Sequence, residues 1–173
     1  MRTRKEEGRG KKEEGFSPLS RGFRKLIAWQ QAMELASCTF SAVRTKRLPP
    51  WLEGQVMSAA LSVPSNIAEG YTRAGLKDYL RFLDFARSSL AELESHLYFM
   101  VTNGVLEQRA YDELDRRVSG VGNILVALMR SLNRKLKDGS WNRISEEPTE
   151  YLFTVEEDSH LPPSSFHLPG GEG

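Results

Sequence analysis

Four stretches of the chain repeat apolar residues every three or four positions, the period of a helix that buries one face. In the first, over 23–43, Trp29, Ala32, Met33, Ala36, Phe40 and Val43 share a side. Leu48-Pro49-Pro50 ends it, because a residue before proline is driven out of the α conformation, and Pro50 suits the first turn of the next helix. The second, over 51–69, turns Val56, Ala60, Val63 and Ile67 towards a core, and Gly70 is placed to end it. The third, over 75–103, keeps near-heptad spacing through Leu76, Leu80, Leu83, Ala86, Leu90, Leu93, Leu97 and Met100. Phe82, Phe85 and Phe99 widen its apolar surface, and Asn103-Gly104 supplies a left-handed stop. The fourth, over 107–137, repeats Tyr111, Leu114, Val118, Val121, Leu125, Leu128, Leu132 and Leu136. Gly120 and Gly122 each cost it about 1 kcal/mol against alanine; they point to close helix contact, or to simple tolerance. No strand pattern competes. The expectation is an all-α protein, an antiparallel up-down four-helix bundle with short connections.

The polar positions add a second observation. On the second helix, Ser58, Ser62, Ser65, Asn66 and Glu69 lie away from the expected core, and no charge stands between Glu53 and Glu69. A solvated outer face normally carries Lys, Glu or Arg. Small uncharged residues instead permit a second backbone to approach, so this side is expected to be an interface between copies of the chain; a neutral exposed face is the alternative. Pro64 sits inside the same helix, where it removes one N–H bond and clashes with the Ala60 carbonyl. The resulting bend suits a helix wrapped around an assembly axis, or a local kink packed in its own core. The freed carbonyl needs a donor, which Ser65 and Asn66 stand close enough to supply, a water or a neighbouring chain being the alternatives.

Outside the four stretches the composition changes. Residues 1–20 repeat KEEG and are expected to form a disordered charged arm. Residues 21–137 form the bundle. Residues 138–173 are rich in proline and carboxylates and are expected to be an acidic, mostly disordered tail with one apolar patch, Tyr151-Leu152-Phe153. Net charge divides along the same lines. The arm carries +2, the bundle has 17 Lys/Arg against 11 Asp/Glu for +6, and the tail has 1 against 8 for −7. That asymmetry points to a polyanion partner. The 173 residues include one cysteine, Cys38, so no intramolecular disulfide forms. The first residues lack the apolar core of a secretory signal, and no run is apolar enough for a membrane span. A soluble, cytoplasmic protein without membrane association is expected.

Specific stretches resemble a known family. They are Phe23-Arg24-Lys25-Leu26 with Trp29-Gln30, Gln55, Ala59-Ala60, and Ser62-Val63-Pro64-Ser65-Asn66-Ile67-Ala68-Glu69-Gly70. Tyr79-Leu80-Arg81-Phe82-Leu83, Ala86, Ser89-Leu90-Ala91-Glu92-Leu93-Glu94 and the Asn103-Gly104 turn complete them. Over about 23–135 the chain is similar to the bacterial four-helix-bundle proteins first met as 23S ribosomal-RNA intervening-sequence proteins. That family is similar in fold to the accessory variability determinant of diversity-generating retroelements, a basic pentameric barrel that binds a reverse transcriptase and nucleic acid. The resemblance therefore implies a homopentamer without catalysis, with RNA or DNA and a reverse transcriptase as partners. Gly75 and Glu107 stand where such proteins usually carry a serine cap, so those helix ends are expected to be less firmly held.

No constellation of catalytic residues competes with that reading. His160 and His167 lie in the tail, His96 sits beside Glu92 as a structural histidine, and Cys38 reads as a packing residue. No metal-ligand spacing, phosphate loop or nucleophile motif occurs, so neither a cofactor nor enzymatic activity is expected. What remains is basic surface. Lys77, Arg81 and Arg87 lie along one side of the third helix. Arg109, Arg116, Arg130, Arg134 and Lys137 lie along one side of the fourth around Asn123, and Arg73 stands at the connection. Such faces suit phosphate contacts that do not read sequence. Part of the charge is expected to go to helix ion pairs such as Arg81 with Asp84 and Asp112 with Arg116. A protein-interaction scaffold whose charge is incidental is the alternative function.

Overall fold

A computed structural model of the chain describes residues 18–141. A short 3₁₀ helix, Pro18–Lys25, leads into four α-helices: α1 Ile27–Val43, α2 Pro50–Thr72, α3 Leu76–Thr102 and α4 Gln108–Asp138. They form an antiparallel up-down bundle in which α2 packs between α1 and α3, and α4 closes the circle against α3 and α1. One buried cluster runs its full length, with Leu35, Ile67, Leu83, Leu93, Leu97, Met100, Leu125 and Leu132 among the side chains fully withdrawn from solvent. Burying each of these large side chains contributes about 2 kcal/mol.

The first helix departs most from its sequence pattern. It begins at Ile27 rather than at 23, because Leu26 is extended at φ −71° and ψ 125°. Phe23 stays in the 3₁₀ turn and meets Trp29 edge to face at 5.2 Å. The core face is also rotated: Ala28, Ala32, Leu35, Ala36, Thr39 and Val43 are buried, whereas Phe40 is 50% exposed. Thr39 enters the core because its hydroxyl donates to the Leu35 carbonyl at 2.9 Å, which removes the cost of burying it.

The second helix runs three residues past its expected end. Gly70 is buried inside it, and an added Cβ there would stand 2.8 Å from Phe82 Cβ and 2.8 Å from Tyr79 Cδ2. Gly70 therefore serves close packing of α2 on α3 rather than chain termination. The close approach expected in α4 is absent at Gly122, where a Cβ would make an ordinary 3.5 Å contact with Leu90. The third and fourth helices follow their predicted seams, with Leu80 and Tyr111 half-buried and Leu136 37% exposed. Gly104 adopts the left-handed conformation at φ 69°, ending α3 as expected. Neither Gly75 nor Glu107 caps its helix through a side chain, and the Glu107 carboxylate instead accepts from Lys46 at 3.2 Å.

The boundaries with both flanking segments shift. Residues 18–20, expected in the arm, already belong to the 3₁₀ helix. At the far end, Asp138 completes α4, Gly139 turns at φ 65°, and Trp141 packs its ring 6.4 Å from Tyr79. The KEEG arm, Tyr151-Leu152-Phe153, His160 and His167 lie outside the described residues.

Candidate nucleic-acid interface

Up-down topology gathers the start of α1, the end of α2, the start of α3 and the end of α4 at one end of the bundle. Aromatic contacts hold that end together. The backbone at Gly22 abuts the Tyr71 hydroxyl, Tyr71 meets Tyr79 edge to face at 6.3 Å, and Tyr79 meets Trp141. Among residues with described side chains, this half carries Arg24, Lys25, Arg73, Lys77, Arg81, Arg87, Arg130, Arg134, Lys135 and Lys137. Its carboxylates are Glu69, Asp78, Asp84 and Asp138. The opposite half reverses the balance, with Arg44, Lys46, Arg47, Arg109, Arg116 and Arg117 among Glu34, Glu53, Glu92, Glu94, Glu107, Asp112, Glu113 and Asp115. The charge of the bundle is therefore polarised along its axis.

The sequence-predicted cations divide accordingly. Arg73, Lys77, Arg81, Arg87, Arg130, Arg134 and Lys137 fall in the cationic half; Arg109 and Arg116 do not. All nine are exposed. On α4, Arg109, Arg116, Asn123, Arg130 and Lys137 recur every seventh residue down the solvent side, and Arg134 joins them one turn beyond Arg130. Antiparallel packing of Tyr98 on Tyr111, at 6.4 Å, sets Lys77 of α3 near the level of Arg134.

Ion pairing separates these groups further. Arg73 pairs with Glu69 and lies 4.5 Å over the Phe82 ring. Arg81 reaches Asp78 at 3.6 Å and Arg87 reaches Asp84 at 3.2 Å, both at i,i+3, so the expected pairing of Arg81 with Asp84 is replaced. Arg116 pairs with Glu113 rather than Asp112, which accepts from Gln108 at 2.8 Å. Lys77, Arg130, Arg134 and Lys137 have no carboxylate within ion-pair distance among the described residues. Between Asp115 and Asp138 α4 has no acidic residue at all. An exposed cation without a local carboxylate remains available to an external phosphate.

The residues singled out on α2 also divide. Ser58, Ser65 and Glu69 face solvent, and Leu61 between them is 48% exposed. Ser62 and Asn66 are half-buried at the seam with α3. Ser89 of α3 donates to Ser62 Oγ at 2.9 Å, while Asn66 Nδ2 donates to the Ser62 carbonyl at 2.9 Å and to its hydroxyl at 3.0 Å. Pro64 is buried within the chain. The nearby donors serve other carbonyls than the expected one: Ser65 bonds Leu61 and Asn66 bonds Ser62, not Ala60. The SVPSNIAEG stretch thus joins α2 to α3 through Ser62 and Gly70, with Asn66 bonded to Ser62 from within α2.

Sequence reasoning missed one polar cluster. Arg117 donates to Glu34 of α1 at 2.7 Å and to Glu113 at 2.9 Å, tying α4 to α1 beside Cys38. Burial pushes the Cys38 thiol above its ordinary range, against the lowering influence of the Arg117 charge. The two hydrogen bonds hold Arg117 more firmly protonated despite its partial burial. The signal was the lone arginine on the α1 side of α4, adjacent to the outward Arg116. His96 Nε2 is buried, 3.6 Å from Glu92. No group of His, Cys, Asp and Glu among the described residues is arranged to hold a metal ion. No described helix is long and apolar enough to cross a membrane.

The fold and its polarised surface define a small four-helix-bundle protein with one cationic end. Its residues 24–127 match the family model described as 23S rRNA-intervening sequence protein, and the chain belongs to that family. A crystal structure from Bacteroides thetaiotaomicron, titled as a protein of unknown function from the S23 ribosomal protein family, shares the fold. It has TM-score 0.56 and 14% identity, covering 60% of this chain and 98% of the other. No curated protein matches.

Proposed function

We propose that the chain acts without catalysis, as a basic homo-oligomer that holds the phosphate backbone of a nucleic acid. The observation that carries this reading is the cationic end of the bundle, where Lys77, Arg130, Arg134 and Lys137 stand exposed and outside any ion pair among the described residues. Membership of a family named for a ribosomal-RNA insertion favours RNA over DNA. Arg109 and Arg116 stand among carboxylates at the other end and fall outside the proposed interface. Base readout is not part of the proposal, since phosphate contacts position a strand without reading it.

Assembly is the second part of the proposal. The exposed side of α2 offers Ser58, Leu61 and Ser65 without a charge, and Phe85 of α3 is 46% exposed. We take this side as the contact between copies, with five copies as the working number. A bundle carrying +6, repeated five times, generates a field strong enough to gather polyanions from a distance. A reverse transcriptase or another ribonucleoprotein component is the protein partner this reading anticipates.

The test is purification from the native host, light scattering of the purified material, and sequencing of whatever nucleic acid travels with it. A pentamer mass and an enriched RNA support the proposal. A particle free of nucleic acid but carrying a stoichiometric protein favours the scaffold function.

A further inference from the structure

Chain geometry fixes where the acidic C-terminal segment leaves the bundle. Trp141 is seated against Tyr79, with its indole N–H buried and without a hydrogen-bond partner among the described residues. That exit lies at the cationic end. Beyond it, residues 142–158 hold six carboxylates, Glu146, Glu147, Glu150, Glu156, Glu157 and Asp158, against the single cation Arg143.

Reach selects the end. Fully extended, the chain from Trp141 to Glu146 spans at most about 18 Å, and to Glu150 about 32 Å. The α4 helix is about 46 Å long, so the nearest glutamates reach the cationic end but not the far one. The far half moreover carries an excess of carboxylates and repels them. A tethered segment sits at roughly millimolar effective concentration near its own bundle. Opposite charge and a fixed exit converge on one surface, and reach confines Glu146, Glu147 and Glu150 to it.

We propose that the acidic segment 142–158 docks on the cationic end of its own bundle, against Lys77, Arg130, Arg134 and Lys137, and competes there with nucleic acid. The docking stands on charge and reach; only the competition rests on the nucleic-acid reading above. A segment with an intrinsic dissociation constant of about 0.1 mM, held at about 1 mM, weakens the apparent affinity for a competing strand by about tenfold.

Two measurements on the full chain test this. The first compares the wild type with a variant carrying Glu146→Gln, Glu147→Gln, Glu150→Gln, Glu156→Gln, Glu157→Gln and Asp158→Asn, titrating a labelled 20-nucleotide oligouridine. The variant should bind about tenfold tighter at about 50 mM salt, with the gap closing as salt rises. The second is carbodiimide cross-linking of the wild type with no nucleic acid present. It should join the acidic segment to Lys77 or Lys25, which lie on other elements, and high salt should abolish the links. Equal or weaker binding by the variant overturns the competition, and absence of those cross-links overturns the docking itself. If the cross-links form and neither protein binds oligouridine, docking stands and the proposed function is what fails.

Discussion

Replacing Gly70 with alanine pits two effects of known sign against each other. In the middle of a helix alanine is favoured over glycine by about 1 kcal/mol. At Gly70, however, the new methyl would stand 2.8 Å from Phe82 Cβ, 2.8 Å from Tyr79 Cδ2 and 3.2 Å from the Tyr79 carbonyl oxygen. One of these neighbours is backbone and another lies at the root of a side chain, so neither moves without shifting α3. Overpacking of this kind costs about 1–3 kcal/mol. Set against the gain in helix propensity, the net expectation is a loss of about 1 kcal/mol and at most about 2, which in a bundle of this size lowers the melting temperature by about 4 °C for each kcal/mol lost. Gly54→Ala and Gly122→Ala are the controls. Nothing lies within 4 Å of a Cβ at Gly54, and at Gly122 the nearest atom is Leu90 Cδ2 at 3.5 Å. Both should raise the midpoint by a few degrees, through helix propensity alone. Thermal unfolding followed by circular dichroism reads all three. A Gly70→Ala protein that melts at or above the wild type would refute the claim that α2 and α3 are locked together there.

Two further outcomes are expected. Leu61→Arg, on the charge-free outer side of α2, should lower the mass seen by light scattering to that of a monomer while leaving the helical circular-dichroism signal intact; an unchanged mass removes that face from the assembly. Cys38 should alkylate more slowly than a free thiol at pH 8, because burial raises its pKa and thins the thiolate. Arg117→Met removes the one charge that opposes this, while Glu34 and Glu113 still act in the raising direction. The reaction should slow further at that pH, and a faster rate would show that the arginine shields the thiol rather than favouring its ionised form.

The sequence carried the architecture because long amphipathic helices announce themselves by period. The seams of α3 and α4 fall where Leu76 to Met100 and Leu114 to Leu132 place them. It misplaced the face of α1 for a physical reason. A rule that counts threonine as polar and phenylalanine as apolar cannot see that Thr39 satisfies itself on Leu35, or that Phe40 is left on the surface. Gly70 failed similarly: near a helix end glycine reads as a stop, and only the positions of Tyr79 and Phe82 identify it as a packing site. The candidate interface was half legible. Periodicity found the α4 stripe of Arg109, Arg116, Arg130 and Lys137. Within it, among the described residues, only Arg116 is paired, with Glu113 one turn back on the same helix, whereas the gathering of cations from several helices at one end became visible only from the antiparallel packing. Arg117 was invisible because its partner Glu34 lies 83 residues away in sequence.

The central claim is that the cationic end, and not the bundle as a whole, holds nucleic acid. Its most direct test is the salt dependence of oligouridine affinity for three proteins: the wild type, the variant Arg130→Gln/Arg134→Gln/Lys137→Gln, and the variant Arg47→Gln/Arg109→Gln/Arg116→Gln. Each phosphate contact with a single strand contributes about 0.7 to the slope of log affinity against log salt. Loss of three should therefore lower the slope of the first variant by about 2, with weaker binding at low salt. The second variant should keep the wild-type slope. Equal losses in both variants would contradict the account, showing that binding follows net charge rather than its placement along the bundle.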